Sequence, residues 1–131
     1  MFGKKKQPPI KSLVAHGSRI EGHYIFAEGL RVDGEIAGDI RAQADHPSIL
    51  VIAESATVTG QIHAGHVIIN GRVNGPVHAT ELLELQPKAR IEGDVSYKVL
   101  EMHQGAVIVG KLCPLDDAQV KPILKLAANS E

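Results

Sequence analysis

Three of the seven histidines in this 131-residue chain are spaced as metal ligands can be. His63 and His66 lie three apart, and His78 follows Val77 as His63 follows Ile62. Three imidazoles on a zinc ion leave a fourth position for an activated water, the chemistry of carbonic anhydrases. That chemistry also needs carboxylates around a cleft at a subunit boundary, and no such constellation can be assigned, so solvated surface histidines are the simpler reading. His46, in "ADHPS", is the only loop histidine placed as an acyltransferase base would be, and loop histidines are usually polar surface. Asp33, Asp39 and Asp94 are scattered and flanked by basic or neutral residues, unlike the paired carboxylates of glycoside hydrolysis. No "GxxxxGK[ST]" phosphate loop occurs. Cys113 has no neighbouring base to activate it. No catalytic, cofactor-binding or metal-ligating residue is therefore expected, and no cofactor.

The N-terminal stretch "MFGKKK" carries a different kind of chemistry. Met1 and Phe2 form an apolar tip ahead of Lys4, Lys5 and Lys6. Such a tip can insert into an anionic bilayer while each lysine gains on the order of 1 kcal/mol near the surface. A solvated start on a soluble protein is the plainer alternative. Gly3 does not make a myristoylation signal, which needs glycine directly after the methionine.

The rest of the chain is built to position a surface, and it repeats. "VAHGSRIEG" from Val14 returns as "IAESATVTG" from Ile52, "LQPKARIEG" from Leu85 and "MHQGAVIVG" from Met102. A second phrase interleaves, "LRVDGEIAGDI" from Leu30 and "VIINGRVNGPV" from Val67. Within each phrase apolar and polar residues alternate strictly: Ala89, Ile91 and Val95 against Arg90, Glu92 and Asp94. Period two predicts short strands with one wet and one buried face, and helical spacing fails over the same windows. The buried-side glycines mark bends or close backbone approach.

The anchors Ile20, Ile36, Val58, Val73, Ile91 and Ile108 recur at 16, 22, 15, 18 and 17 residues. The long interval holds "QADHPS", residues 43–48, which belongs on a loop. A period near 17 is too short for a βαβ unit of about 30 residues. It suits one coil of a parallel β-helix, right-handed because parallel crossovers overwhelmingly take that hand. Coils stacked at about 4.8 Å make six coils a rod roughly 25 to 30 Å long. One coil cannot bury its own inner face, so stacking creates the core. The composition agrees: 44% hydrophobic but only 3% aromatic, hence a narrow aliphatic interior.

A net charge of −1 makes no case for nucleic acid. The single cysteine excludes an internal disulfide and fits a reducing compartment. No apolar run approaches the ~20 residues of a membrane-spanning helix, and no secretory signal precedes the repeats. A soluble, intracellular protein is expected.

A β-helix has two open ends, and unpaired edges recruit further strands unless capped. Neither flank offers an evident helical cap. The last coil replaces the outer pairs Arg90/Glu92, Thr57/Thr59 and Arg19/Glu21 by Val107 and Val109. Either a neighbouring subunit or the tail segment "VKPILKL" covers them. The expected assembly contacts are Val14 and Ile20 at one end, and Val107, Ile108, Val109 and Leu112 at the other.

Over residues 12–112 the chain resembles the bactofilins. The resemblance rests on "GSRIEG", "LRVDGEIAGDI", "ATVTGQIHAGHVIINGRVNGPVHA" and "ARIEGDV", and on their order. It implies a right-handed β-helix that joins end to end into nonpolar filaments without nucleotide. It further implies membrane-associated scaffolds, on the cytoplasmic face of the inner membrane, that place cell-wall enzymes and influence cell shape. Short Met-Phe-basic beginnings occur in membrane-bound bactofilins, which favours the membrane reading of Met1 to Lys6. Family members often carry an aromatic where this chain has Ile108. The expected organisation is a flexible N-terminal tail over 1–11, a polymerisation domain over 12–112 and a flexible C-terminal tail over 113–131. A small β-helical enzyme, of the hexapeptide acyltransferase or carbonic anhydrase kind, is the alternative from another class.

Overall fold

The alternating pattern becomes fifteen short strands and, among the described residues, no helix. The structure is a computed structural model that describes residues 8–44 and 47–115. Strands β1 (Ser12–Val14), β2 (Arg19–Glu21) and β3 (Tyr24–Phe26) make the first coil. Strands β4 (Gly29–Val32), β5 (Glu35–Ala37) and β6 (Ile40–Ala42) make the second. The third is β7 (Ile49–Ile52), β8 (Thr57–Thr59) and the start of β9 (Ile62–Ile69). The fourth is the rest of β9, β10 (Arg72–Asn74) and the start of β11 (Val77–Leu85). The fifth is the rest of β11, β12 (Arg90–Glu92) and the start of β13 (Val95–Met102). The sixth is the rest of β13 with β14 (Val107–Val109) and β15 (Leu112–Pro114).

Like positions stack in parallel, which makes a β-solenoid of about six turns with three rows. Row one runs β1-β4-β7-β9-β11-β13, row two β2-β5-β8-β10-β12-β14, and row three β3-β6-β9-β11-β13-β15. The anchors of the sequence repeat are register partners on row two: Ile20 on Ile36, Ile36 on Val58, Val58 on Val73, Val73 on Ile91 and Ile91 on Ile108. Their interiors are dry: Val58 and Val73 are 0% exposed, and Ile36 and Ile91 1%. Leu30, Val32, Leu50, Ile52, Val67, Ile69, Leu83 and Leu85 fill the row-one side of the same core.

Corner chemistry explains why two phrases interleave. The corner from row one to row two takes four residues in coils one, three, five and six, and two residues in coils two and four. The four-residue corners close as turns, with Ser18, Ala56, Ala89 and Ala106 N–H donating to Ala15, Ala53, Gln86 and His103 carbonyls at 2.9 to 3.2 Å. The two-residue corners, Asp33-Gly34 and Asn70-Gly71, nest against them. A Cβ on Gly34 would meet the Ala15 and Ser18 carbonyls, and one on Gly71 those of Ala53 and Ala56.

The other constant corner is a glycine ladder. Gly38, Gly60, Gly75, Gly93 and Gly110 stack, each with φ between 149° and 154°, and a Cβ on any of them would meet the preceding glycine's carbonyl. Period two alone carries these glycines along as strand residues. The strands in fact stop one residue earlier, and the glycine turns the chain into row three. The loop expected over 43–48 lies between β6 and β7; its described residues form no strand, and Ser48 is buried with its Oγ accepting from the Gly65 N–H at 2.9 Å.

Candidate functional site

The outward side of each row is a ladder of register partners, and these ladders decide which side chains meet. On row three the outward ladder is Ile25, Arg41, His63, His78, Ser96 and Cys113. His63 and His78 do touch: their rings stack with centroids 4.5 Å apart and planes 9° from parallel. Parallel rings aim their nitrogens side by side, not at a common point, which is the wrong geometry for chelation. Burial holds the His63 imidazole below its ordinary range, and the neighbouring His78 and Arg41 charges push the same way. His66 lies elsewhere, on row one against Ile49 and Leu82. Burial lowers its affinity for a proton as well, outweighing the Glu84, Glu101 and Glu81 carboxylates. The three histidines weighed as a zinc site therefore do not converge.

The scattered aspartates turn out to be corner fasteners. Asp39 accepts from the Gln61 N–H and Asp94 from the Lys111 N–H, each at 2.9 Å one coil later. Asp33 pairs with Arg31 at 3.1 Å on the same strand exit. Cys113 is half-buried beside Ser96. His46 lies outside the described residues.

A group that sequence reasoning missed lies on row one. Glu84 and Glu101 are register partners, and with His103 they offer ligand atoms within 4.8 Å of one another. The His103 Nε2 lies 3.6 Å from Glu84, and Gln86 donates to Glu84 at 3.2 Å. The available signal was the coil length itself, since 17 residues separate Glu84 from Glu101. By contrast, row two mixes its charges: Arg19 bonds Glu21 at 3.0 Å and Glu35 at 3.2 Å.

The ends differ. In the sixth coil the core-facing Met102 and Leu112 are 46% and 47% exposed, and Leu100, Ala106 and Ile108 are only partly covered. In the first coil the core-facing Val14 and Phe26 are each 4% exposed. There the backbone of Pro9 and Ile10 packs under Gly29, and the Lys11 N–H donates to the Gly29 carbonyl at 3.0 Å. Of the expected contact residues, Val107 and Val109 point outward and are exposed, Leu112 lies on the open cross-section, and Ile108 and Ile20 are half-buried. Val14 is buried and offers almost no surface; its register partner in the following coil is Val32. Met1, Phe2, Lys4, Lys5 and Lys6 lie outside the described residues, and among those described no helix is long and apolar enough to cross a membrane.

Rows of parallel rungs and, among the described residues, an open aliphatic end define the class: a β-solenoid. The family model for bactofilin, described as polymer-forming cytoskeletal, matches residues 12–113, and this chain belongs to that family of structural cytoskeletal proteins. It is 26% identical over 96 residues to Bactofilin BacO of Myxococcus xanthus (strain DK1622), covering 67% of this chain and 76% of that protein. No solved structure matches.

Proposed function

We propose that this chain is a non-enzymatic scaffold subunit that joins end to end into nonpolar filaments without nucleotide. The observation that carries the reading is the sixth coil, where core-type side chains stand half-exposed over strand edges that, among the described residues, are unpaired. Covering Met102, Leu112 and Ile108 by an identical end removes apolar surface from water at about 25 cal/mol per Å². It also pairs backbone groups that otherwise invite uncontrolled strand addition. The first coil is more enclosed, so like ends meeting through the sixth coil across a two-fold axis is the favoured geometry. Contact at the other end, through the half-buried Ile20 rather than the buried Val14, then extends pairs into a filament.

Membrane attachment falls to Met1 and Phe2 with Lys4, Lys5 and Lys6, on the cytoplasmic face of the inner membrane. One such tip binds weakly, and a polymer multiplies it through avidity. Filaments held there organise cell-wall enzymes and so influence cell shape. Family membership, the half-exposed core side chains of the sixth coil and the basic apolar N-terminus support this reading. Negative-stain electron microscopy of the purified chain in nucleotide-free buffer tests it. Filaments are expected; compact trimers would favour the small β-helical enzyme instead.

A further inference from the structure

The outward side of row one does not look like the other outer surfaces. Row two presents Arg19, Glu35, Thr57, Arg72 and Arg90 in one ladder, polar until Val107 at its end. Row one presents Leu13, Arg31, Val51, Ile68, Glu84 and Glu101 in one ladder, and Ile49, His66, Leu82 and Val99 in the other. An apolar band therefore runs from Val99 through Leu82 and Ile68 to Val51 and Ile49. Its lower members are already withdrawn from water, with Ile49 5% exposed, whereas Val99 is 50% exposed. Glu84 and Glu101 flank the upper part of the band, with Glu81 near by. Like charges in register repel, and among the described residues neither of this pair meets a lysine or arginine.

We propose that this band is the docking surface for the chain's own C-terminal segment, residues 120–126, "VKPILKL". Three features of the chain point to it. First, the exit is in the right place. The Leu115 N–H donates to the Tyr97 carbonyl at 2.8 Å, so the chain leaves at the corner that turns from row three into row one. Second, the sequence does not favour a seventh coil. Pro114 stands over Tyr97, and the same register would set Asp117 over the core residue Leu100 and Gln119 over Met102. Polar groups over an apolar cross-section are costly, so that register is disfavoured. Third, the segment is complementary to the band. Val120, Ile123, Leu124 and Leu126 match its aliphatic floor, and Lys121 and Lys125 match its acidic rim.

The lengths agree as well. From Val99 to Val51 is three rung spacings, about 14 Å. Seven extended residues span up to ~25 Å, and the four-residue approach over 116–119 reaches ~14 Å. The inference rests on no reading of filament assembly.

Disulfide trapping in the full chain tests it. In a Cys113→Ser background, Leu124→Cys is paired with Ile68→Cys on the band or with Thr57→Cys on row two. Each is mixed with isotope-labelled chain, so that links within and between chains differ in mass. The proposal expects rapid linkage at Ile68 within one chain and little at Thr57. Adding Lys121→Glu and Lys125→Glu should slow the Ile68 linkage about five-fold, as two screened ion pairs allow. Adding Glu84→Lys and Glu101→Lys to that variant should restore the rate. Equal linkage at both sites, or preference for Thr57, would overturn the proposal and direct the segment to Val107 and Val109 instead. Linkage between chains would also overturn it and make the band a contact between copies. A rate indifferent to the charge reversals would remove the acidic rim as the reason for docking, and the proposal with it.

Discussion

Replacing Gly75 by alanine should destabilise the solenoid far more than the same change at Gly22, although both are corner glycines of one ladder. Both have positive φ, 149° and 123°, in a region L residues rarely adopt. Holding alanine there costs about 1–3 kcal/mol. At Gly22 that is the whole penalty, because a Cβ would have nothing within 4 Å. At Gly75 the Cβ would run into the Gly60 carbonyl and Cα. That carbonyl belongs to a corner whose N–H already donates to Asn74 at 2.9 Å. It can retreat only by opening the rung spacing, an overpacking cost of about 1–3 kcal/mol more. Gly75→Ala should therefore lose roughly twice what Gly22→Ala loses, in a domain whose total stability is on the order of 5–15 kcal/mol. Urea unfolding followed by circular dichroism reads both. Midpoints taken at several protein concentrations separate the contribution of association. Equal losses at the two positions would show that the close corner approach is not what excludes side chains, and the ladder argument would fail.

Assembly, membrane attachment and acid sensitivity should respond to separate residues. Ile108→Arg places a charge on the open cross-section, and leaving it unpaired under a neighbour costs several kcal/mol. The variant should stay β-rich and run as a monomer or dimer in analytical ultracentrifugation; polymer like that of the parent would clear the sixth coil of any role. Deleting residues 1–6 should abolish co-sedimentation with anionic liposomes while filaments persist, and undiminished liposome binding would end the membrane reading. His63 and His66 are both held below the ordinary histidine pKa, so the unfolded chain protonates first. Stability should then be full above about pH 6.5 and fall as pH drops below it. A His63→Gln/His66→Gln variant should show a flatter pH dependence of its urea midpoint between pH 7 and 5, and an unchanged slope would contradict this.

The rows were legible because one face of every strand is buried, and period two writes burial directly into the chain. Ile20 to Ile108 align by eye, and the structure stacks them in that order. The contact between His63 and His78 was also readable, since each directly follows a core residue on row three. What the alternation could not show is the corners. Whether Gly93 ends a strand or continues it depends on φ, which no hydrophobic pattern encodes. The 15-residue interval likewise comes from trading a four-residue corner for "NG" in coil four, and the 18-residue one from an extra residue in β11 at the register shift between Ala79 and Leu82. The Glu84–Glu101 pair was missed for a related reason. Its members lie outside the repeated phrases, and they meet only once the register of row one is known. The packing of the N-terminal flank was hidden too, because Pro9 to Lys11 belong to no phrase yet run alongside Gly29 of the second coil.

End-to-end contact between subunits is the central claim. A cryo-electron microscopy map of filaments grown in nucleotide-free buffer addresses that directly. Strand rungs at about 4.8 Å should run unbroken along the filament axis. Sixth coils should meet sixth coils across a two-fold axis, with Ile108 and Leu112 at the junction. Subunits packed side by side through their outer rows, or every subunit pointing the same way along the filament, would contradict it.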